Sequence, residues 1–295
     1  MSDPLVIVVT GTSRGIGNGI TQLLAKQTLG RPLIIYATSR AGIDTSVDAV
    51  EPNKVYYTEL DITDKHSIRS FFERVVEEHS AVDILINNAA IANDYRENPE
   101  YAAQTVWNNY GGARDMCEAF LGQTNIKPGA RIVNLTSGYN ALSSYGQDLQ
   151  NRFRSAATIA DINGLANSYL EDMNAGLDTQ ERKGWGSKAR SYKVSKALIN
   201  TLTIVLAKQN PNVLVNCCCP GWVNTDMGKQ GQGTPPKTTE EGARTAVRCA
   251  IGDLGPAGDV DGGLGNESEI ISGMFYENDN IMVPGWGKSK KWLET

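Results

Sequence analysis

Tyr192 and Lys196 stand four residues apart in SYKVSK, within a helix-like run over 191–209. An i, i+4 pair shares one helical face, one turn apart. A free phenol titrates near ~10. An ammonium beside it favours the phenolate and is expected to pull that value down, so the pair suits a tyrosine that exchanges a proton with a bound reactant. The spacing alone is common on helix surfaces. Cys217, Cys218 and Cys219 raise a second question, because three adjacent thiols suggest a metal site, a redox device or plain packing. Zinc ligands stand roughly two to four residues apart and need further Cys or His elsewhere. Cys117 and Cys249 are isolated, and His66 and His79 fall in one charged stretch where solvated side chains are expected. Reduced cysteines pack as small hydrophobes and alternate faces along a strand, so the triplet reads as strand packing and no metal is expected.

The elements that would position Tyr192 follow from hydrophobic periodicity. LVIVVT (5–10), PLIIYAT (32–38), KVYYTELDI (54–62), VDILINNAA (82–90), ARIVNLTS (130–137) and NVLVNCCC (212–219) read as strands, with one more in SGMFYENDNIMVPGW (272–286). Helical spacing begins at Ile16, returns strongly over 67–79 and near 100–121, and closes with 191–209. Apolar strands alternating with amphipathic helices predict a doubly wound, Rossmann-type α/β fold. About seven parallel strands are expected, with helices on both faces, in one domain spanning 1–295. The Gly/Pro-rich patches at 228–236 and 252–265 read as loops.

The first strand runs into TGTSRGIG (10–17) and then a helix. Gly11 permits a tight turn, while Gly15 and Gly17 let backbone and helix approach a pyrophosphate without a Cβ in the way. Ser13, Arg14 and Ile16 complete this cradle. No Gly-Lys-Ser/Thr follows, so it is not a P-loop. An NAD site would place an acidic residue at the end of the second strand. Arg40 stands there instead, Arg14 is a second cation, and Asp44 lies further on. Two guanidiniums suit a ribose 2′-phosphate, which points to NADP(H).

Composition is that of an ordinary soluble globular chain: 295 residues, 40% apolar, 21% charged and a net charge of −5. That charge argues against a broad nucleic-acid-binding face. The start, MSDPLVIVVTG, has no basic leader and only a strand-length apolar run, so a cytoplasmic protein without a membrane span is expected.

Further motifs join the glycine turn and YKVSK: NNAA (87–90), NNYGG (108–112), NLTS (134–137) and PGWVNTDM (220–227). Their types and order resemble the short-chain dehydrogenase/reductase family, and the resemblance runs to about residue 227. GARDMCEAF (112–120), CCCPGWVNTDM (217–227), EEGARTAV (240–247) and a long insertion (138–191) before Tyr192 resemble the monomeric carbonyl reductase branch. In that insertion Thr158 and Asp161 are placed as a capping box, ahead of Ile159, Ile162, Leu165, Ala166, Tyr169 and Met173 on one helical face.

The resemblance implies reduction of a ketone, quinone or aldehyde by NADPH. Tyr192 would be the general acid, Lys196 would tune it and hold the nicotinamide ribose, and Ser137 would bind the substrate oxygen. Asn109, chosen over Asn108, would anchor a water. Asp61 would meet the adenine, with Ile62, Asn88 and Ala89 beside the adenosine. Pro220, Gly221 and Val223 would flank the nicotinamide, and Thr225 would touch the cofactor. The branch also implies a monomer, its insertion helix covering the face that other members use to assemble. A substrate lid is expected at 226–239, and Trp222, Met227, Phe275 and Tyr276 are candidates for an aromatic-friendly pocket. Ala90 replaces the family's usual glycine and would be strained only at positive φ. Two other readings remain open: a dehydrogenase of one secondary alcohol, and a non-catalytic dinucleotide sensor. A Ser-His-Asp hydrolase is excluded, because neither histidine adjoins a strand-end serine.

Overall fold

The computed structural model describes residues 3–231, 233–252, 254 and 271–295. Its centre is one sheet. The N-terminal half supplies β1 (Leu5–Thr10), α1 (Gly15–Ala25), β2 (Leu33–Ser39), β3 (Lys54–Glu59), α2 (Lys65–His79) and β4 (Ile84–Asn87). Then come α3 (Pro99–Val106), a π-turn (Trp107–Gly111), α4 (Gly112–Leu121) and β5 (Ala130–Leu135). The insertion holds α5 (Gln147–Ser155), α6 (Ile159–Asn174) and α7 (Leu177–Arg182). After it come α8 (Ser191–Gln209), β6 (Val213–Cys218), α9 (Thr239–Ile251), β7 (Phe275–Glu277) and β8 (Lys288–Lys290).

The sheet order is β3-β2-β1-β4-β5-β6-β7-β8. The first seven strands are parallel and β8 pairs antiparallel with β7. The expected seven strands thus become eight among the described residues. The added edge strand, KSK, is too short and polar to show an apolar pattern. Chain order reverses between β1 and β4, and such a switch point opens a crevice at the carboxyl ends of the strands.

Side-chain alternation splits the core into two layers. Val6, Val8, Leu85, Ile132 and Val215 face the layer of α2, α4 and α8. Ile7, Val9, Ile35, Ile86 and Val133 face that of α1 and α9. The cysteine triplet obeys the same rule: Cys217 and Cys219 join the first layer and Cys218 the second. All five cysteines are buried free thiols, and no cluster of potential metal ligands occurs among the described residues.

The insertion builds its own aromatic core. Trp185 is fully buried among Tyr145, Phe153 and Tyr169, and its Nε1 donates to Asp172 at 2.9 Å. Trp292, from the C-terminal segment, stacks edge-on against Phe153. The Thr158–Asp161 capping box forms as expected, and α6 lies across α3 and α8. His79 departs from the solvated expectation, because it packs beside Tyr36, whose hydroxyl is 2.9 Å from its Nε2. Ala90 is not at positive φ, so its Cβ is harmless there. Within the second Gly/Pro patch, Asp253 and residues 255–265 lie outside the described residues.

Candidate active site

The glycine turn is shaped by what stands behind it. Gly11 has φ +71°, and a Cβ there would come 2.9 Å from the Cα of Ala89. At Gly17 a Cβ would come 2.2 Å from the Gly11 carbonyl oxygen, so only glycine lets α1 press on the turn. Asn88 fastens the arrangement, with Nδ2 donating to Thr10 O at 2.8 Å and Gly11 O at 3.1 Å. The amides of Asn88 and Ala89 donate to Thr10 Oγ1, each at 3.0 Å. No side chain caps α1, which leaves its first amides for a ligand.

A cleft of about 470 Å³ opens above this turn. Of the residues expected at the site, Gly11, Ser13, Arg14, Gly15, Ile16, Arg40, Asp61, Ile62, Asn88, Ala89, Tyr192, Lys196, Pro220, Thr225 and Met227 all line it. Ser39, Thr63 and Asn108 line it as well, without having been expected from sequence, and Asp226 and Lys229 reach it from the expected lid segment. Asp44 is not among the lining residues. Arg14 forms an exposed ion pair with Asp226 across the mouth, at 3.1 Å. The glycine turn, the uncapped helix end and two arginines therefore fit a phosphorylated dinucleotide.

Lys196 is buried, and its Nζ donates to Leu135 O at 2.9 Å while standing 5.5 Å from the Tyr192 ring centre. Burial lowers the Lys196 ammonium to about 8. Tyr192 moves the other way from the expectation. Burial raises its phenol above the ordinary value, and the neighbouring Cys219 and Asp94 add to the rise. Desolvation penalises both charged forms and is the leading cause of each shift. The phenol is thus held protonated, the form a general acid requires.

Ser137 ends the β5 segment and starts a short turn, its Oγ accepting from Tyr139 N at 3.2 Å. Next to it, Gly138 N donates to Cys219 Sγ at 3.1 Å, which ties the serine turn to the end of β6. Asn109 lies in the π-turn with its side chain fully engaged. Oδ1 accepts from Ile91 N at 2.8 Å, and Nδ2 donates to Ile91 O at 2.9 Å and Ser195 Oγ at 3.0 Å. That side chain is therefore an anchor for protein groups.

Two residues expected at the pocket, Phe275 and Tyr276, lie in the core instead. Tyr276 is fully buried in the α1/α9 layer, with its hydroxyl donating to Leu254 O at 2.6 Å. Phe275 is buried in the opposite layer, since neighbours on a strand point to opposite faces. Neither is among the residues that line the cleft. Trp222 supports the lid segment instead, Nε1 donating to Gly228 O at 2.9 Å and its ring lying under Gly233. Val223 is buried against Gly242 of α9 and pairs with Lys237. Gly221, at φ +79°, is closed from behind by Lys237, whose Nζ donates to Pro220 O at 2.7 Å.

Fold and cleft define a dinucleotide-binding oxidoreductase scaffold. The comparisons narrow it. Residues 5–148 match the short chain dehydrogenase family model. The NADPH carbonyl reductase 1 of Sus scrofa is 34% identical over 310 aligned residues, covering 99% of each chain. That of Mus musculus is 33% identical over 260, covering 83% of this chain and 90% of the other. Among solved structures, salutaridine reductase from Papaver somniferum superposes with a TM-score of 0.73 at 25% identity, over 93% of this chain and 100% of that one. The chain belongs to the short-chain dehydrogenase/reductase family, in its carbonyl-reductase-like branch. No helix among the described residues is long and apolar enough to cross a membrane.

Proposed function

We propose that the protein reduces a ketone, quinone or aldehyde to the alcohol at the expense of NADPH. One observation carries the reading: Tyr192 and Lys196 line the same cleft as the glycine turn and the two arginines. NADPH, when bound, supplies the hydride. Arg14 and Arg40 would hold its 2′-phosphate, Asp61 the adenine, and Pro220 and Thr225 the nicotinamide half. Tyr192 Oη gives its proton to the carbonyl oxygen as negative charge develops there, and Ser137 Oγ donates to the same oxygen. Lys196 lies under the tyrosine ring and supplies positive potential as the phenolate forms. Asn109 holds the wall beside them. The insertion, packed over α3 and α8, supports a monomer, and the single sheet supports one domain; the reading keeps the expected cytoplasmic location and the lid at 226–239.

The test is oxidation of NADPH and NADH by purified protein with a panel of dicarbonyls and quinones, alongside Tyr192→Phe. NADPH-dependent turnover that is lost in the variant is expected. Turnover that survives in the variant would remove Tyr192 from the chemistry, and none with any carbonyl would favour a sensor.

A further inference from the structure

The helix that carries Tyr192 has no cap of its own. Arg190 occupies the N-cap position of α8 and its side chain makes no capping bond. The first amides of a helix need acceptors, and an end without them is free to fray or rotate. Here the acceptors come from almost a hundred residues earlier in the chain. Glu97 Oε1 accepts from Ser191 N at 2.7 Å, and Oε2 accepts from Arg190 N at 3.0 Å. Asp94 Oδ1 accepts from Tyr192 N at 3.0 Å and from Ser191 Oγ at 2.9 Å.

The tyrosine is gripped on its other side as well. Its carbonyl accepts from Ser195 Oγ at 2.7 Å, and that hydroxyl accepts in turn from Asn109 Nδ2, whose amide group also holds Ile91. Both backbone groups of Tyr192 are thus referred to one short segment, Ile91–Glu97, whose first residue lines the cleft. The insertion reaches the same place, because Tyr169 of α6 donates its hydroxyl to Glu97 Oε1 at 3.3 Å.

We propose that Asp94 and Glu97 are positioning residues that cap α8 from a distance and set the placement of the Tyr192 hydroxyl in the cleft. The assignment to catalysis rests on the reductase reading; the cap does not. Two negative carboxylates complement the positive end of the helix, and a neutral local cap would give less. Asp94 also bears on the chemistry directly. The groups facing the Tyr192 phenol are Asp94 from this segment, Cys219 from the end of β6, and Lys196 on its own helix. Of these, Asp94 is the acidic group that favours the protonated phenol and is also bonded to the tyrosine backbone.

The experiment compares wild type, Asp94→Ala, Asp94→Asn, Glu97→Ala and Glu97→Gln as full-length chains. Two readouts are used: steady-state kinetics against pH, and amide hydrogen exchange over 190–192. Asp94→Ala and Glu97→Ala should lose roughly ten- to a hundredfold in kcat. KM for NADPH should be kept, and the 190–192 amides should exchange faster. Glu97→Gln keeps an acceptor and should recover most of kcat. Asp94→Asn also keeps an acceptor but loses the charge. Its kcat near neutral pH should be largely kept, while the alkaline limb of the reduction rate moves to lower pH. A purely structural role would change stability without moving that limb.

The proposal is overturned if the alanine variants keep wild-type kcat, or if the amides are equally protected without the carboxylates. Wild type inactive on every carbonyl would overturn the reductase reading alone, with hydrogen exchange still deciding the cap.

Discussion

Removing the guanidinium of Arg40 tests the choice of cofactor most directly. Arg40 is exposed on the rim of the cleft, close to the end of β2 where a ribose 2′-phosphate would come. A charge-assisted hydrogen bond contributes about 1.5–3 kcal/mol, and rim exposure selects the lower end. At about 1.4 kcal/mol per factor of ten, Arg40→Ala should cost roughly tenfold in kcat/KM for NADPH and almost nothing for NADH. Arg14 should count for less. It is already paired with Asp226, and binding a phosphate means leaving that partner. An exposed pair of this kind is worth about 0.2–1 kcal/mol, so Asp226→Asn should free Arg14 and improve NADPH binding roughly 1.4- to 5-fold. Both effects should shrink at high salt, because the groups are exposed. The assay is kcat/KM for both cofactors in the three proteins at two ionic strengths. Equal losses for NADPH and NADH in Arg40→Ala, or a wild type that uses NADH as well as NADPH, would refute the assignment of the arginines to the 2′-phosphate.

Lys196 gives a stability prediction with a defined sign. Burial holds its ammonium at about 8 against an ordinary 10.5, so between those values the unfolded chain binds more protons there than the folded one. The cost of burying the charge is complete below about pH 8 and fades as pH rises toward 10.5. Lys196→Met should therefore stabilise the cofactor-free protein at pH 7 by on the order of 1–3 kcal/mol, with the gain shrinking at pH 10. Denaturant titrations at the two pH values check this, and the same variant should lose NADPH oxidation. The loss of a donor to Leu135 O reduces the gain. The monomer proposal predicts the mass of a single chain in sedimentation across a hundredfold range of concentration; a concentration-dependent dimer would contradict it.

Much of this architecture was legible because the strands are buried on both faces and so carry dense apolar runs. Each of the first six was recognisable within a few residues, and α8 at both ends. What escaped was short or polar. Helix α5, QDLQNRFRS, buries only Leu149 and Phe153, too few to mark a face. Strands β7 and β8 have three residues each and are held by their neighbours more than by their own pattern. In the cleft, residues tied to a local motif were legible, such as Gly11, Gly17 and the Tyr192–Lys196 pair. Asp94 and Glu97 were not, because their partners lie on α8, far away in the chain. Phe275 and Tyr276 show the opposite failure: their chemistry suggested a pocket, while alternation along a strand already required one of them to face each layer.

The cysteine triplet has a practical consequence. Cys217 and Cys218 lie on opposite sides of β6, which is flanked by β5 and β7. A thiol reagent can reach both only when the strand leaves the sheet and the two layers part together. At reagent concentrations where labelling outpaces reclosing, the rate at which the pair is labelled therefore counts the openings of the molecule's centre. Three adjacent thiols make the native protein its own timer, one that runs only while the structure is undone.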